Sequence, residues 1–168
     1  KIMKRIVVFL AVIGLATLSS CEGDRGPAGP RSEVFELQNI NFQLNQNNEY
    51  IIFQNLNPQL LDSDNILIYR MAGTINPQTP IWQLIPRTLF LDEGELDYDY
   101  DFSAIDFTIY AGGTYNLALT PQFLQNQTFR IVIIPGYFSK GSDLDLKDYN
   151  AVIKYFNLND SNVKVLNK

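Results

Sequence analysis

From Glu33 onward, apolar and polar residues alternate with a period of two, and Asn, Pro, Gly and Asp punctuate the runs. Ile40, Phe42 and Leu44 share one parity, while Phe35 and Leu37 have the other, which predicts a bulge or break near Gln38-Asn39. Tyr50–Phe53 is a short strand, and Ile66–Met71 reads as a buried one. Ile81–Ile85 and Thr88–Leu91 are separated by Pro86, which suits a sheet edge or a bend. Leu96, Tyr98, Tyr100 and Phe102 alternate with Glu95, Asp97, Asp99 and Asp101. Ile105, Phe107 and Ile109 resume the pattern after Ser103-Ala104, which predicts a hairpin. Phe129–Ile134 reads as a continuous apolar, β-rich run, as expected of a central strand buried on both faces.

One segment changes period. Tyr149, Val152, Ile153 and Phe156 fall at i, i+3, i+4 and i+7, a single apolar stripe on a helix. Asp145 or Asp148 is placed to cap its start, and Asn157 or Asn159 to close it. Such a helix covers a sheet face or the end of a sandwich. Seven to nine short strands at these spacings, plus that helix, predict an all-β protein: an antiparallel β-sandwich with one short C-terminal α-helix.

The chain ahead of this body is different. Lys4 and Arg5 precede an unbroken apolar run from Ile6 to Ala16, and Thr17, Ser19 and Ser20 lead to Cys21. That is the layout of a secretory signal over residues 1–20. A bilayer crossing takes about 20 apolar residues and only roughly 15 lie here, so a transmembrane helix is disfavoured. Gly23-Asp24-Arg25, Gly26-Pro27-Ala28 and Gly29-Pro30-Arg31 are three Gly-X-Y triplets. Collagen needs glycine at each third place, but this run is too short to hold a triple helix alone. It reads as a stiff spacer of roughly 28 Å at about 3.1 Å per residue. The domain plan is therefore a signal over 1–20, an anchor and linker over 21–32, and a β-domain over 33–168.

Charge narrows the partners. Three of the 13 basic residues lie ahead of Cys21 and none of the 18 acidic ones do, so the remainder stands at −8. Such a surface is a poor match for nucleic acid and has no attraction for anionic lipid. Cys21 is the sole cysteine and there is no histidine. Disulfides, thiolate nucleophiles, Ser-His-Asp triads and the usual zinc sites are all excluded. No catalytic residue and no metal ligand set can be named, and the expectation is that the chain is not an enzyme.

Four groups of residues remain to be weighed as candidate contacts. Asp97, Asp99 and Asp101 share a face about 6.6 to 6.8 Å apart. No two of them can share a calcium ion without help from a loop, so a solvated, aggregation-resistant strand face is the better reading. Asp62-Ser63-Asp64-Asn65 and Asp143-Leu144-Asp145 lack the Gly and terminal Glu of a calcium loop and read as turns. Trp82, Tyr69, Tyr110, Tyr115 and Tyr137 offer a stacking surface, against the plainer reading of core and rim. Tyr137-Phe138, after Pro135-Gly136, sit where the loop at the end of a buried strand often carries recognition.

Leu18-Ser19-Ser20-Cys21 resembles a bacterial lipoprotein box. Cys21-Glu22-Gly23 with the Gly-Pro triplets resembles a group of collagen-like lipoproteins of Bacteroidota. Gly94–Tyr98, Phe129–Gly136 and Asp148–Val152 are similar to that group's recurring segments. The resemblance implies diacylglycerol and palmitate on Cys21 and no other cofactor. It also implies an outer-membrane, lipid-anchored location at the cell surface, with Glu22 and Asp24 loosely matching an acidic export signal. The expected role is an accessory binding subunit of a surface or envelope complex. By analogy, its protein partner is a secreted adhesin, or a gliding or type IX secretion component. A glycan-binding surface module is the alternative.

Overall fold

A computed structural model describes residues 33–135 and 143–166. Cys21, the linker residues Gly23, Gly26, Pro27, Gly29 and Pro30, and the pair Tyr137 and Phe138 lie outside the described residues. Two five-stranded sheets face each other. The first contains β1 (Glu33–Ile40), β4 (Asn65–Asn76), β5 (Thr79–Leu84), β9 (Gln127–Ile134) and β10 (Lys164–Val165), in the order β10-β1-β9-β4-β5. The second contains β2 (Gln43–Leu44), β3 (Tyr50–Asn55), β6 (Arg87–Leu91), β7 (Gly94–Phe102) and β8 (Asp106–Gly113), in the order β2-β3-β8-β7-β6. All pairings are antiparallel except β1 with β10. This is the expected all-β sandwich. Among the described residues the strand total is ten rather than seven to nine, because β2 and β10 are two residues long and too short to show a period.

Period two explains the core. Phe35 and Leu37, Ile66 and Ile68, and Phe129, Ile131 and Ile133 point inward from the first sheet. Ile52, Leu96, Tyr98, Phe107 and Ile109 meet them from the second. The parity break is where the sequence places it: the β1–β9 register shifts between Leu37 and Ile40, with Asn39 at φ 51°. That irregularity turns Ile40 and Phe42 inward as well. β5 and β6 are sheet edges on either side of Pro86, where the chain changes sheets. β7 and β8 form the expected hairpin.

β9 is buried on both faces, since Val132 and Ile134 join a second apolar cluster outside the first sheet. The cover there is α1 (Tyr149–Tyr155), whose Tyr149 and Val152 pack with Leu67, Tyr69, Val132 and Ile134. Asp148 caps it by accepting from Ala151 N at 3.1 Å, and Asn157 at φ 51° turns the chain away. Among the described residues, no helix is long and apolar enough to cross a membrane.

The sandwich has two distinct ends. The start of β1 pairs with the end of β9 (Glu33 with Ile133) and lies near the start of β4 (Asn65 with Ile134). Tyr100 Oη donates to Ile66 O at 2.8 Å and brings the β7–β8 turn to this proximal end. At the distal end Ile40 pairs with Gln127, Phe42 N donates to Leu124 O at 2.9 Å, and Tyr98 Oη donates to Phe123 O at 2.7 Å. Two 3₁₀ turns, Leu117–Leu119 and Pro121–Phe123, close that end.

Candidate binding grooves

Among the grooves of the described residues, two carry aromatic walls in the distal half, one outside the first sheet and one at the end of the second. Outside the first sheet, α1 covers the proximal half and stops short of the β4–β5 hairpin. The uncovered half forms a groove of about 440 Å³ whose lining includes Gln38, Met71, Thr74, Gln78, Trp82 and Thr128. Trp82 stands on β5 opposite Met71. Its ring lies 5.6 Å from that of Tyr149 and 4.6 Å from Arg130 Cζ, so one wall of the groove is a built aromatic–guanidinium stack.

Arg130 organises that wall. It is the one charged side chain in the Phe129–Ile134 run, and strand alternation sends it outward beside Val132. Its Nε donates to Glu36 Oε2 at 2.7 Å, while Nη1 donates to Tyr149 Oη and to Asp160 Oδ2 at 3.0 Å. Tyr149 Oη in turn donates to Asp160 Oδ2 at 2.8 Å, and Gln38 Nε2 donates to Glu36 Oε1 at 2.6 Å. Burial works against the guanidinium charge, but the bonds to Glu36 and Tyr149 outweigh it and hold its pKa above the ordinary value. Burial, reinforced by the bond to Asp160, pushes the Tyr149 phenol well up. Glu36 and Arg130 line the groove as a mutually paired charge, and the rest of its lining is amide, hydroxyl and apolar surface.

At the distal end of the second sheet, where β3 and β8 stop pairing, lies a groove of about 380 Å³. Tyr50, Tyr110 and Tyr115 line it, with Gly112 and Gly113 between them and Asn48, Glu49 and Asn116 around them. Tyr110 faces Asp99 across the β7–β8 ladder, and Gly112 faces Asp97. Tyr110 Oη donates to Asp101 Oδ2 at 2.9 Å, a bond that raises the phenol's pKa. Thr88 Oγ1 donates to Asp97 Oδ1 at 2.5 Å. The alternating acids therefore stand on the outer, solvent side of β7, as their parity predicts, with Asp97 engaged across to β6 and Asp101 across to β8.

The structure brings some of the predicted residues together and separates others. Asp97, Asp99 and Asp101 share a face with Tyr110, whereas Tyr115 packs against the core at the distal end. Trp82 is on the opposite sheet, and Tyr69 is fully buried, with its hydroxyl donating to Leu146 O at 2.7 Å. Among the described residues, no group of three or more Asp, Glu, His or Cys could hold a metal ion. Sequence reasoning missed Arg130, Glu36, Tyr50 and Gly112. A lone arginine inside an apolar strand was the available signal for the first.

A second arginine was missed for the opposite reason. Arg70 follows Ile66 and Ile68 in parity and points into the sandwich, where burial lowers its pKa. Its Nε donates to Gln127 Oε1 at 2.8 Å and its Cζ lies 4.7 Å from the Tyr98 ring centroid. Its role is to close the distal end of the core.

Comparison of the chain with protein-family models, curated proteins and solved structures finds no match.

Proposed function

We propose that the chain is a non-catalytic binding subunit tethered by lipid on Cys21 to the outer membrane, at the cell surface. The Gly23–Pro30 spacer holds the sandwich off the bilayer, and a protein partner of a surface or envelope complex docks on the Trp82 groove. The observation that carries this reading is polarity. The spacer joins the sandwich at Glu33, whereas the Trp82 groove lies toward the other end of β1, beside Gln38 and the β4–β5 hairpin. A tether at one end leaves a groove at the other facing away from the membrane. Confinement near the membrane then raises the effective concentration of the subunit for a neighbouring client. Two acyl chains or more are needed for stable residence, which triacylation of Cys21 supplies.

The experiment pairs two variants in the native cell. Cys21→Ser is expected to abolish acyl labelling and move the protein from membrane to soluble fractions. Trp82→Ala is expected to keep the anchor but lose the partners that co-purify with the wild-type protein after membrane solubilisation. Retention of Cys21→Ser in the membrane, or an unchanged partner set with Trp82→Ala, counts against the reading.

A further inference from the structure

We propose that the tyrosine groove at the distal end of the second sheet is a binding site for a neutral glycan, distinct from the Trp82 groove. Its floor is the first observation. Gly112 occupies an outward position of β8 where an added Cβ would meet nothing within 4 Å, so the fold does not require glycine there. What the missing side chain does is keep the groove open. The adjacent Gly113 is required by packing, because a Cβ would run into the Glu95 carbonyl and come within 2.8 Å of Leu117 Cδ2. Packed backbone thus holds an empty floor in place.

The walls are the second observation. Tyr110 is pinned through Asp101, and Tyr115 through Thr120 Oγ1 at 2.5 Å, so these rings are oriented before any ligand arrives. Pinned aromatic faces set about a side-chain-free floor suit the flat C–H faces of a sugar ring. The polar partners are the third. Glu49 uses Oε2 to accept from Asn45 Nδ2 at 2.8 Å, and Asp97 faces the floor glycine. Carboxylates and amides at a rim accept hydrogen bonds from sugar hydroxyls. Glu49 lines the groove and Asp97 faces Gly112, so negative charge lies beside it, and among the described residues no Lys or Arg lines it. That field selects against uronates and sulfated chains. A cationic peptide is the competing occupant. The pinned rings and open floor favour the sugar, since a basic peptide has no need of either.

This inference stands on the folded domain and survives failure of the tether, which Cys21→Ser tests separately. The full chain, purified in detergent, is titrated calorimetrically with mannan, a β-glucan, a galactan, polygalacturonate and poly-lysine. Saturable heat is expected from at least one neutral polysaccharide and none from polygalacturonate. Gly112→Gln, which the backbone accommodates, and Tyr110→Ala are each expected to weaken that binding by about tenfold or more. Phe90→Ser, 80% exposed on the same sheet and outside the groove, is expected to change nothing. The proposal is overturned if no neutral polysaccharide binds, if poly-lysine alone gives heat, or if a folded Gly112→Gln protein binds like wild type.

Discussion

Arg130 Cζ sits 4.6 Å from the centroid of the Trp82 ring, and the same guanidinium ties β1, β9 and the α1–β10 connection together through Glu36, Tyr149 and Asp160. The Glu36 and Arg130 side chains are only 10% and 14% exposed, so neither charge is well solvated without the other. Removing one partner strands a buried charge, whereas removing both does not. Arg130→Met is therefore expected to lower unfolding stability by about 2 to 3 kcal/mol in urea titrations. The double variant Glu36→Leu/Arg130→Met should recover more than half of that loss. Equal stability of single and double variants would show that the pair is not coupled.

Alkaline pH provides a second test. Burial pushes the Tyr98 phenol up to about 12 from the ordinary 10.0, and burial also raises Tyr69 and Tyr149. A raised folded-state value means that the unfolded chain loses its proton first. Stability is then complete below about pH 10 and falls as pH rises towards 12. Thermal melts across this window should show a steep drop in melting temperature. Phenolate absorbance of the buried tyrosines should appear only together with unfolding.

Tyr98 also carries a structural bond, from its hydroxyl to Phe123 O at 2.7 Å. Tyr98→Phe keeps the ring in the core and leaves that carbonyl without its donor. A loss of about 1 kcal/mol at neutral pH is expected, along with a shallower alkaline decline. An unchanged alkaline profile would place the titration elsewhere.

The adjacent glycines should diverge sharply. Gly112→Ala has free space and should be neutral or stabilising by up to about 1 kcal/mol, since glycine is a poor strand residue. Gly113→Ala meets the Glu95 backbone, which cannot yield cheaply, and should cost about 1 to 3 kcal/mol. Equal denaturation midpoints for the two variants would refute the close approach of β7 and β8 at Gly113.

Val152 is fully buried beneath α1. Val152→Ala removes two methyl groups and leaves a cavity against the first sheet, at an expected cost of about 2 kcal/mol. Because Tyr149 on the same helix flanks Trp82, loosening the helix should also shift the tryptophan fluorescence to longer wavelength. A stability loss with no spectral change would mean that the helix stays docked.

Much of the fold is legible along the chain. Faultless alternation from Glu95 to Phe102 forces one face of β7 inward and its acids outward, and the parity change at Gln38-Asn39 marks a real register shift. The grooves were less legible. Trp82 and the β7 acids drew attention as single residues, yet they lie outside different sheets. Tyr50, from a strand more than fifty residues before Tyr110, joins Tyr110 only because β3 pairs with β8. Arg70 misled in another way: its charge argued for solvent while its parity, shared with Ile66 and Ile68, argued for the core, and parity won.

By itself, then, the order of residues settles what is local and periodic: strand-forming segments, the inward face of each, and the capped helical stripe. Which outward faces become grooves was left to tertiary structure. That depends on the pairing of distant strands, on where α1 ends across the first sheet, and on a side-chain-free position such as Gly112 falling beside aromatic walls. Such coincidences arise from packing between segments far apart in the chain, and no short window of sequence contains them.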